Sequence, residues 1–112
     1  MRPRTAALLE DIARACAAID RFVGGRDLAM LGEDELLRAA IERQLTIIGE
    51  AVTQMARLDQ ATADLIPDRR AIVGLRNILV HAYGQVDHEV VADIVARDVP
   101  ELARIVDGLL GT

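Results

Sequence analysis

The stretch RNILVHAY, residues 76–83, places Arg76, Asn77, His81 and the chain's only tyrosine, Tyr83, within about two turns of a helix. An imidazole has a reference pKa of roughly 6.5, so a histidine can accept or donate a proton near neutral pH. A guanidinium group binds phosphate oxygens through paired hydrogen bonds. These residue types suit metal-independent cleavage of RNA, in which a 2′-hydroxyl attacks the neighbouring phosphate.

The catalytic roles in that reaction are predicted to belong to Arg76 and His81. His81 would transfer the proton, and Arg76 would stabilise the charge that grows on the phosphate oxygens. Asn77 is predicted to support them by orienting His81 or by binding phosphate. Spacing alone leaves other interpretations open, because a single histidine near a helix end is typical of a cap or a surface residue, and a tyrosine often only packs.

A helical wheel with about 100° per residue places the four polar side chains opposite an apolar stripe. Val73 and Val80 lie among the polar residues, on the side that should face water. Apolar residues in that position indicate burial against something outside the helix. We therefore predict that Val73 and Val80 form a homodimer interface, with a second copy of the same helix across a two-fold axis.

The elements that must position this motif are predicted to be helices throughout. Apolar residues recur at helical spacing over residues 5–23 and from residues 33–35 to about 57–58. Residues 59–66 are predicted to connect to a third helix, which begins at Pro67, carries the motif and ends at Gly84. A fourth begins near Asp87 and is broken near Pro100. The fold class is thus all-α, an up-and-down bundle of four main helices in one domain, residues 1–112.

Composition excludes several classes of function. A net charge of −5 argues against broad, nonspecific nucleic-acid binding, although all thirteen basic residues are arginine. Cys16 is the only cysteine and falls on an apolar stripe, which predicts a core residue and a cytoplasmic location. No apolar run approaches the roughly 20 residues that span a bilayer, and no signal peptide is visible, so no membrane association is expected.

Metal and cofactor sites are not expected. His81, Asp87 and His88 are close in sequence, but Gly84 separates them and no two histidines stand four residues apart. No other combination of residues indicates a cofactor.

The order arginine, asparagine, three residues, histidine, one residue, tyrosine resembles the motif of HEPN domains, and more specifically that of the HepT-type toxin family. The resemblance extends to AIERQLTIIGEA at residues 40–51, to IPDRRAIVGLRNILVHAYGQVD at residues 66–87 and to DVPELARIVDGLL at residues 98–110. It covers about two-thirds of the chain and is weakest over the first 35 residues. One departure is Asp68, where many members have an aromatic residue.

The resemblance implies a homodimeric ribonuclease that acts as the toxin of a toxin–antitoxin system. It also implies a cleft between protomers in which Arg76 and His81 are catalytic. The partner would be a minimal nucleotidyltransferase antitoxin that silences the toxin by AMPylation of Tyr83, transferring AMP from ATP. An alternative stays open, since some HEPN proteins resemble non-catalytic subunits that help a nucleotidyltransferase hold its substrate.

Overall fold

The computed structural model describes residues 1–67, 74 and 87–111. The first helix is α1 (Pro3–Val23). It begins two residues before the predicted start because Pro3 fits the first turn of a helix. It ends where Gly24 adopts a left-handed conformation with φ 49° and donates its N–H to the carbonyl of Asp20. Its apolar stripe is buried, as the periodicity predicts.

A 3-10 helix (Leu28–Glu33) precedes α2 (Glu35–Leu58), and the sequence analysis did not predict it. Two aspartates set the starts of these helices. Asp27 accepts a hydrogen bond from the Ala29 N–H at 2.9 Å, and Asp34 accepts one from the Leu37 N–H at 3.0 Å. A side-chain oxygen at the N-cap satisfies a backbone donor that has no partner within the helix. The predicted bounds of α2 are confirmed.

The connector after α2 contains a short helix, α3 (Gln60–Ala63), and Asp59 is its N-cap residue. The Asp59 carboxylate accepts hydrogen bonds from the Thr62 hydroxyl at 2.8 Å, the Thr62 N–H at 3.1 Å and the Thr5 hydroxyl at 3.1 Å. Chiefly because of the bonds from Thr62, the pKa of Asp59 lies below its usual value. Since Thr5 is at the start of α1, this carboxylate joins the start of α1 to the end of α2, and the two helices run antiparallel.

The last helical run has three parts: α4 (His88–Asp93), a π turn (Ile94–Asp98) and α5 (Val99–Leu110). Proline has no N–H, and its ring crowds the carbonyl four residues earlier. The chain stays helical through this region, and the Val99 N–H bonds the carbonyl of Ile94, five residues before it. The interruption predicted near Pro100 is therefore a change from π to α geometry at Val99.

The core lies between α1, α2 and the last helical run, since α1 packs along both α2 and α5, and α4 packs on the 3-10 helix. Helices account for the ordered structure of the described residues, and none of these forms a strand, so the all-α prediction is confirmed. Nor is any helix in the described ranges long and apolar enough to cross a bilayer. The buried apolar side chains with no more than 1% exposure are Leu9, Ile12, Ile19, Leu31, Ile41, Ile48, Val52, Met55, Ala63 and Val106.

Candidate functional site

The residues predicted to carry the chemistry lie outside the described residues. These are Arg76, Asn77, His81 and Tyr83, together with Val73 and Val80 of the predicted dimer interface. The predicted third helix falls on the same segment, of which Gly74 is described, and Gly74 is helical and half-buried. The roles of these residues and their positions relative to one another stay predictions. The structure does describe where the chain approaches this segment and where it leaves it.

On the approach side, the backbone is fixed to the end of α2. The Asp59 carboxylate ties this region to Thr5, and Arg2 donates a hydrogen bond to the carbonyl of Leu58 at 2.7 Å. Beyond α3, the Ile66 N–H bonds the carbonyl of Ala63 at 3.1 Å, and the Ile66 side chain is 3% exposed. The motif segment therefore follows a hydrogen-bonded turn that is anchored by the buried Ile66 side chain.

On the other side, Asp87 starts α4. Its Oδ1 accepts hydrogen bonds from the N–H groups of Glu89 at 2.9 Å and of Val90 at 3.4 Å. Asp87 thus acts as a helix cap, which agrees with the predicted start near this residue. Among the described residues, no group of three metal-ligating side chains occurs.

His88 packs against the 3-10 helix. A Cβ atom placed on Gly32 would stand 3.2 Å from the His88 Nδ1, so the absence of a side chain at Gly32 lets the imidazole lie against the backbone. Because Gly32 lies three residues before the start of α2, and α3 follows the end of α2, the described residues on the two sides of the motif segment lie near opposite ends of α2.

A cavity of about 550 Å³ lies between the 3-10 helix and α4, directly after the motif segment. The sequence indicates for His88 only a weak resemblance to a metal ligand, and it does not predict this cavity. It depends on contacts between the 3-10 helix and α4, which are distant in sequence, and no local pattern signals it. Its lining residues are Leu28, Ala29, Leu31, Gly32, His88, Glu89, Ala92, Asp93 and Ala96.

A second cavity, of about 440 Å³, lies between α1 and the last helical run and is lined in part by Cys16. Burial, and then the negative charge of Asp107, raise the pKa of the Cys16 thiol to about 12. A thiol of that pKa is protonated at neutral pH and is a poor nucleophile. The prediction that Cys16 is a core residue is confirmed, since its side chain is 2% exposed.

The described residues form an all-α bundle, and the sequence between its two described parts contains the arginine–histidine–tyrosine motif. The chain belongs to the HepT-like ribonuclease family, because the model of that family, described as "Ribonuclease HepT-like", matches residues 12–109. The match includes the complete motif, residues 76–83. The predicted HEPN resemblance and the predicted ribonuclease class are confirmed at the level of the family.

Two curated relatives match nearly the whole chain. One, from Methanocaldococcus jannaschii, is named "Putative RNase MJ1380" and is 32% identical over 101 residues, which are 90% of this chain and 92% of the relative. The other, from Caldanaerobacter subterraneus subsp. tengcongensis, is named "Putative RNase TTE0752" and is 29% identical over 102 residues, 91% of this chain and 90% of the relative. No solved structure matches the chain at comparable significance.

Proposed function

We propose that this protein is a metal-independent endoribonuclease and the toxin component of a toxin–antitoxin system. The observation that carries the proposal is the family match over residues 12–109, which encloses the intact motif. The names of both curated relatives refer to an RNase, and RNA is the substrate that we assign to this chain.

The reaction divides proton transfer from charge stabilisation. A base removes the proton of the 2′-hydroxyl, the 2′-oxygen forms a bond to the adjacent phosphorus, and the bond from phosphorus to the 5′-oxygen breaks. An acid then protonates the departing 5′-oxygen, which leaves a 2′,3′-cyclic phosphate and a 5′-hydroxyl. We assign the proton transfers to His81 and the binding of the phosphate oxygens to Arg76, with Asn77 in support.

The active cleft forms between two copies of the chain. Val73 and Val80 bury each other's apolar surface across the two-fold axis, and this brings two arginines and two histidines to one phosphodiester. In a symmetric pair, one histidine can act as the base while its counterpart acts as the acid. This arrangement explains how a chain with a single histidine in its motif supplies both proton-transfer groups.

Control is exerted at Tyr83, by AMPylation. A minimal nucleotidyltransferase antitoxin transfers AMP from ATP to the tyrosine oxygen, with pyrophosphate as the leaving group. Tyr83 lies two turns from Arg76 on the same predicted line of the helix. The bulky, anionic adduct therefore occupies the place of the RNA phosphate and repels it, as other charge-adding modifications do.

Purified variants and a growth assay test this proposal together. His81→Ala and Arg76→Ala should each lower the rate of RNA cleavage by about 10²- to 10⁴-fold, the usual contribution of a positioned acid or base. Activity should persist in EDTA. Arg104→Ala is the matched control, because Arg104 is exposed and its ion pair is with Glu101 of the same helix. Full cleavage by His81→Ala would overturn the catalytic assignment.

The antitoxin is tested by co-expression with the neighbouring gene. The wild-type chain alone should arrest growth, and the antitoxin should relieve the arrest with a mass gain of whole adenylate units. Tyr83→Phe should remain toxic in the presence of the antitoxin and should gain no mass. Growth arrest that needs neither Arg76 nor His81 would instead favour a non-catalytic partner of a nucleotidyltransferase.

A further inference from the structure

The cavity between the 3-10 helix and α4 combines apolar walls, an imidazole and carboxylates beside the motif segment. We infer that it is a nucleobase subsite of the ribonuclease, in which Glu89 selects guanine. This inference rests on the proposed function, because it assigns a base preference to the same RNA substrate.

The cavity lies within reach of an RNA that is bound at the predicted catalytic residues. His88 follows His81 by seven residues and Tyr83 by five. A chain advances at most about 3.5 Å per residue, so the His88 backbone is no more than about 25 Å from that of His81. A strand of a few nucleotides bound at the predicted catalytic residues spans such a distance. The sites are close enough for one substrate to occupy both.

The size and the lining of the cavity suit a partly apolar ligand. A volume of about 550 Å³ is within the range of roughly 300 to 1,000 Å³ that is typical of small-molecule sites. Leu28, Leu31 and Ala92 supply apolar walls. The half-buried His88 ring is confined by the close approach at Gly32. Histidine rings serve as stacking surfaces for unpaired bases in RNA-binding proteins, so a base can lie against this imidazole.

Charge selects among the bases. Both oxygens of Asp93 are engaged by Arg97 at 2.5 Å. Within residues 1–67, 74 and 87–111, the exposed carboxylate of Glu89 makes no hydrogen bond or ion pair, so it is available as an acceptor. An ionised carboxylate accepts hydrogen bonds and donates none. Guanine presents two adjacent donors, N1–H and the N2 amino group, that match the two carboxylate oxygens.

The other bases match less well. Uracil has one N–H between two carbonyl oxygens, and a carboxylate repels both oxygens. Adenine and cytosine each offer an amino group beside a ring-nitrogen acceptor. The subsite therefore predicts an order of preference with guanine first and uracil last. A bare phosphate is disfavoured, because the lining carries two carboxylates and no arginine.

The test titrates the full-length protein with 5′-GMP and 5′-UMP and follows backbone amide signals by NMR. The phosphate is common to both ligands, so a difference in affinity reports the base. GMP should shift the signals of Ala29, Glu89 and Ala92 and should bind about tenfold more tightly than UMP, as expected for one bidentate contact. Equal affinities, or shifts confined to other parts of the chain, would overturn the inference.

Three variants refine the result. Glu89→Gln should remove most of the preference for GMP, because a side-chain amide has one acceptor oxygen. Gly32→Ala should weaken both nucleotides, because the new Cβ displaces His88. Glu101→Gln is the control: it removes a carboxylate farther along the last helical run, outside the cavity, and should change neither affinity. A GMP preference that survives Glu89→Gln would contradict the role of Glu89.

Nucleotide binding requires no catalysis, so the two proposals fail in different ways. Selective GMP binding without any RNA cleavage would contradict the proposed function and leave the base subsite intact. Efficient cleavage of an RNA without guanine, at the rate of a matched RNA that contains it, would overturn the subsite and leave the ribonuclease intact.

Discussion

At the scale of single residues, Cys16 shows how burial decides the chemistry of a side chain. The thiol lies at the wall of the cavity between α1 and the last helical run and is 2% exposed. Burial and the charge of Asp107 raise its pKa from 9.0 to about 12. Cys16 therefore packs as a small apolar residue and takes no part in nucleophilic chemistry at neutral pH.

The raised pKa predicts a loss of stability in alkali. A thiol whose pKa is higher in the folded state stabilises that state fully below the unfolded pKa of about 9, and the contribution disappears as the pH rises toward about 12. The wild-type chain should be more stable than Cys16→Ala at pH 7, by about 1 kcal/mol. The difference in free energy of unfolding should decrease as the pH rises from 9 toward 12 and should then favour Cys16→Ala.

Urea denaturation of both proteins at pH 7, 9 and 11 measures this difference, because groups common to the two chains cancel. A difference that stays constant up to pH 11 would contradict the buried, protonated thiol. As an independent check, a thiol reagent at pH 8 should modify wild type only as fast as the protein unfolds.

At the scale of elements, caps and glycines set where helices begin and end. Asp34, Asp59 and Asp87 each accept a hydrogen bond from the backbone at a helix start. Gly24 ends α1 in the left-handed region, where a Cβ would stand 3.0 Å from the carbonyl oxygen of Arg21. A glycine inside a helix has the opposite effect, since it adds flexibility to the unfolded chain without serving a turn.

Two alanine substitutions should therefore change stability in opposite directions. Gly24→Ala should lower the free energy of unfolding by about 1 kcal/mol, because an L-residue is strained at φ 49°. Gly108→Ala should raise it by about 0.5 to 1 kcal/mol, because Gly108 lies within α5 and a Cβ there meets nothing within 4 Å. Thermal unfolding of both variants measures the pair. A stabilised Gly24→Ala would show that α1 ends in another way.

The same elements show what the sequence could and could not predict. Long apolar stripes and acidic caps were sufficient for α1, α2 and the start of α4, because these signals are local. The π turn was not predicted, although the sequence contains a local pattern that is consistent with it. Val91, Val95 and Val99 recur at every fourth position, and all three are buried in the structure. On an α-helix, two successive steps of four residues rotate the side-chain direction by about 80° away from the core. A π turn holds more residues per turn and removes this rotation.

The candidate site divides along similar lines. The motif was predicted from residue types and spacing, which are properties of a short segment. The cavity beside His88 was not, because the 3-10 helix that forms one wall comes from residues more than 50 positions away. The sequence of residues 28–33 contains no pattern that predicts a contact with α4. Long-range packing of that kind appears only in the folded chain.

At the scale of the whole molecule, an acidic chain must bind an acidic substrate. With a net charge of −5, the chain repels RNA at long range, so binding depends on local arginines. The proposed pairing of two chains through the motif segment would concentrate those arginines in one place. We therefore expect that a substitution which prevents dimer formation also abolishes RNA cleavage.

Val80→Asp tests this coupling. A buried charge without a partner on the predicted interface should convert the protein from a dimer to a single chain and reduce RNA cleavage at least 100-fold, the loss expected when a catalytic group is removed. Light scattering coupled to gel filtration gives the mass. Leu36→Asp is the control, because Leu36 is 82% exposed and a charge there should change neither property. A monomeric wild-type chain that cleaves RNA would contradict a shared cleft.

The π turn gives the last helical run one residue more than an uninterrupted α-helix of the same reach would hold. Deletion of one residue from 94–98 would convert the π turn to α-helical geometry. Val91 and Leu102 would then remain directed at the same core. Losing one residue from the α-helical parts would rotate everything downstream by about 100°. Within the last helical run, a deletion of one residue should therefore be tolerated best at residues 94–98.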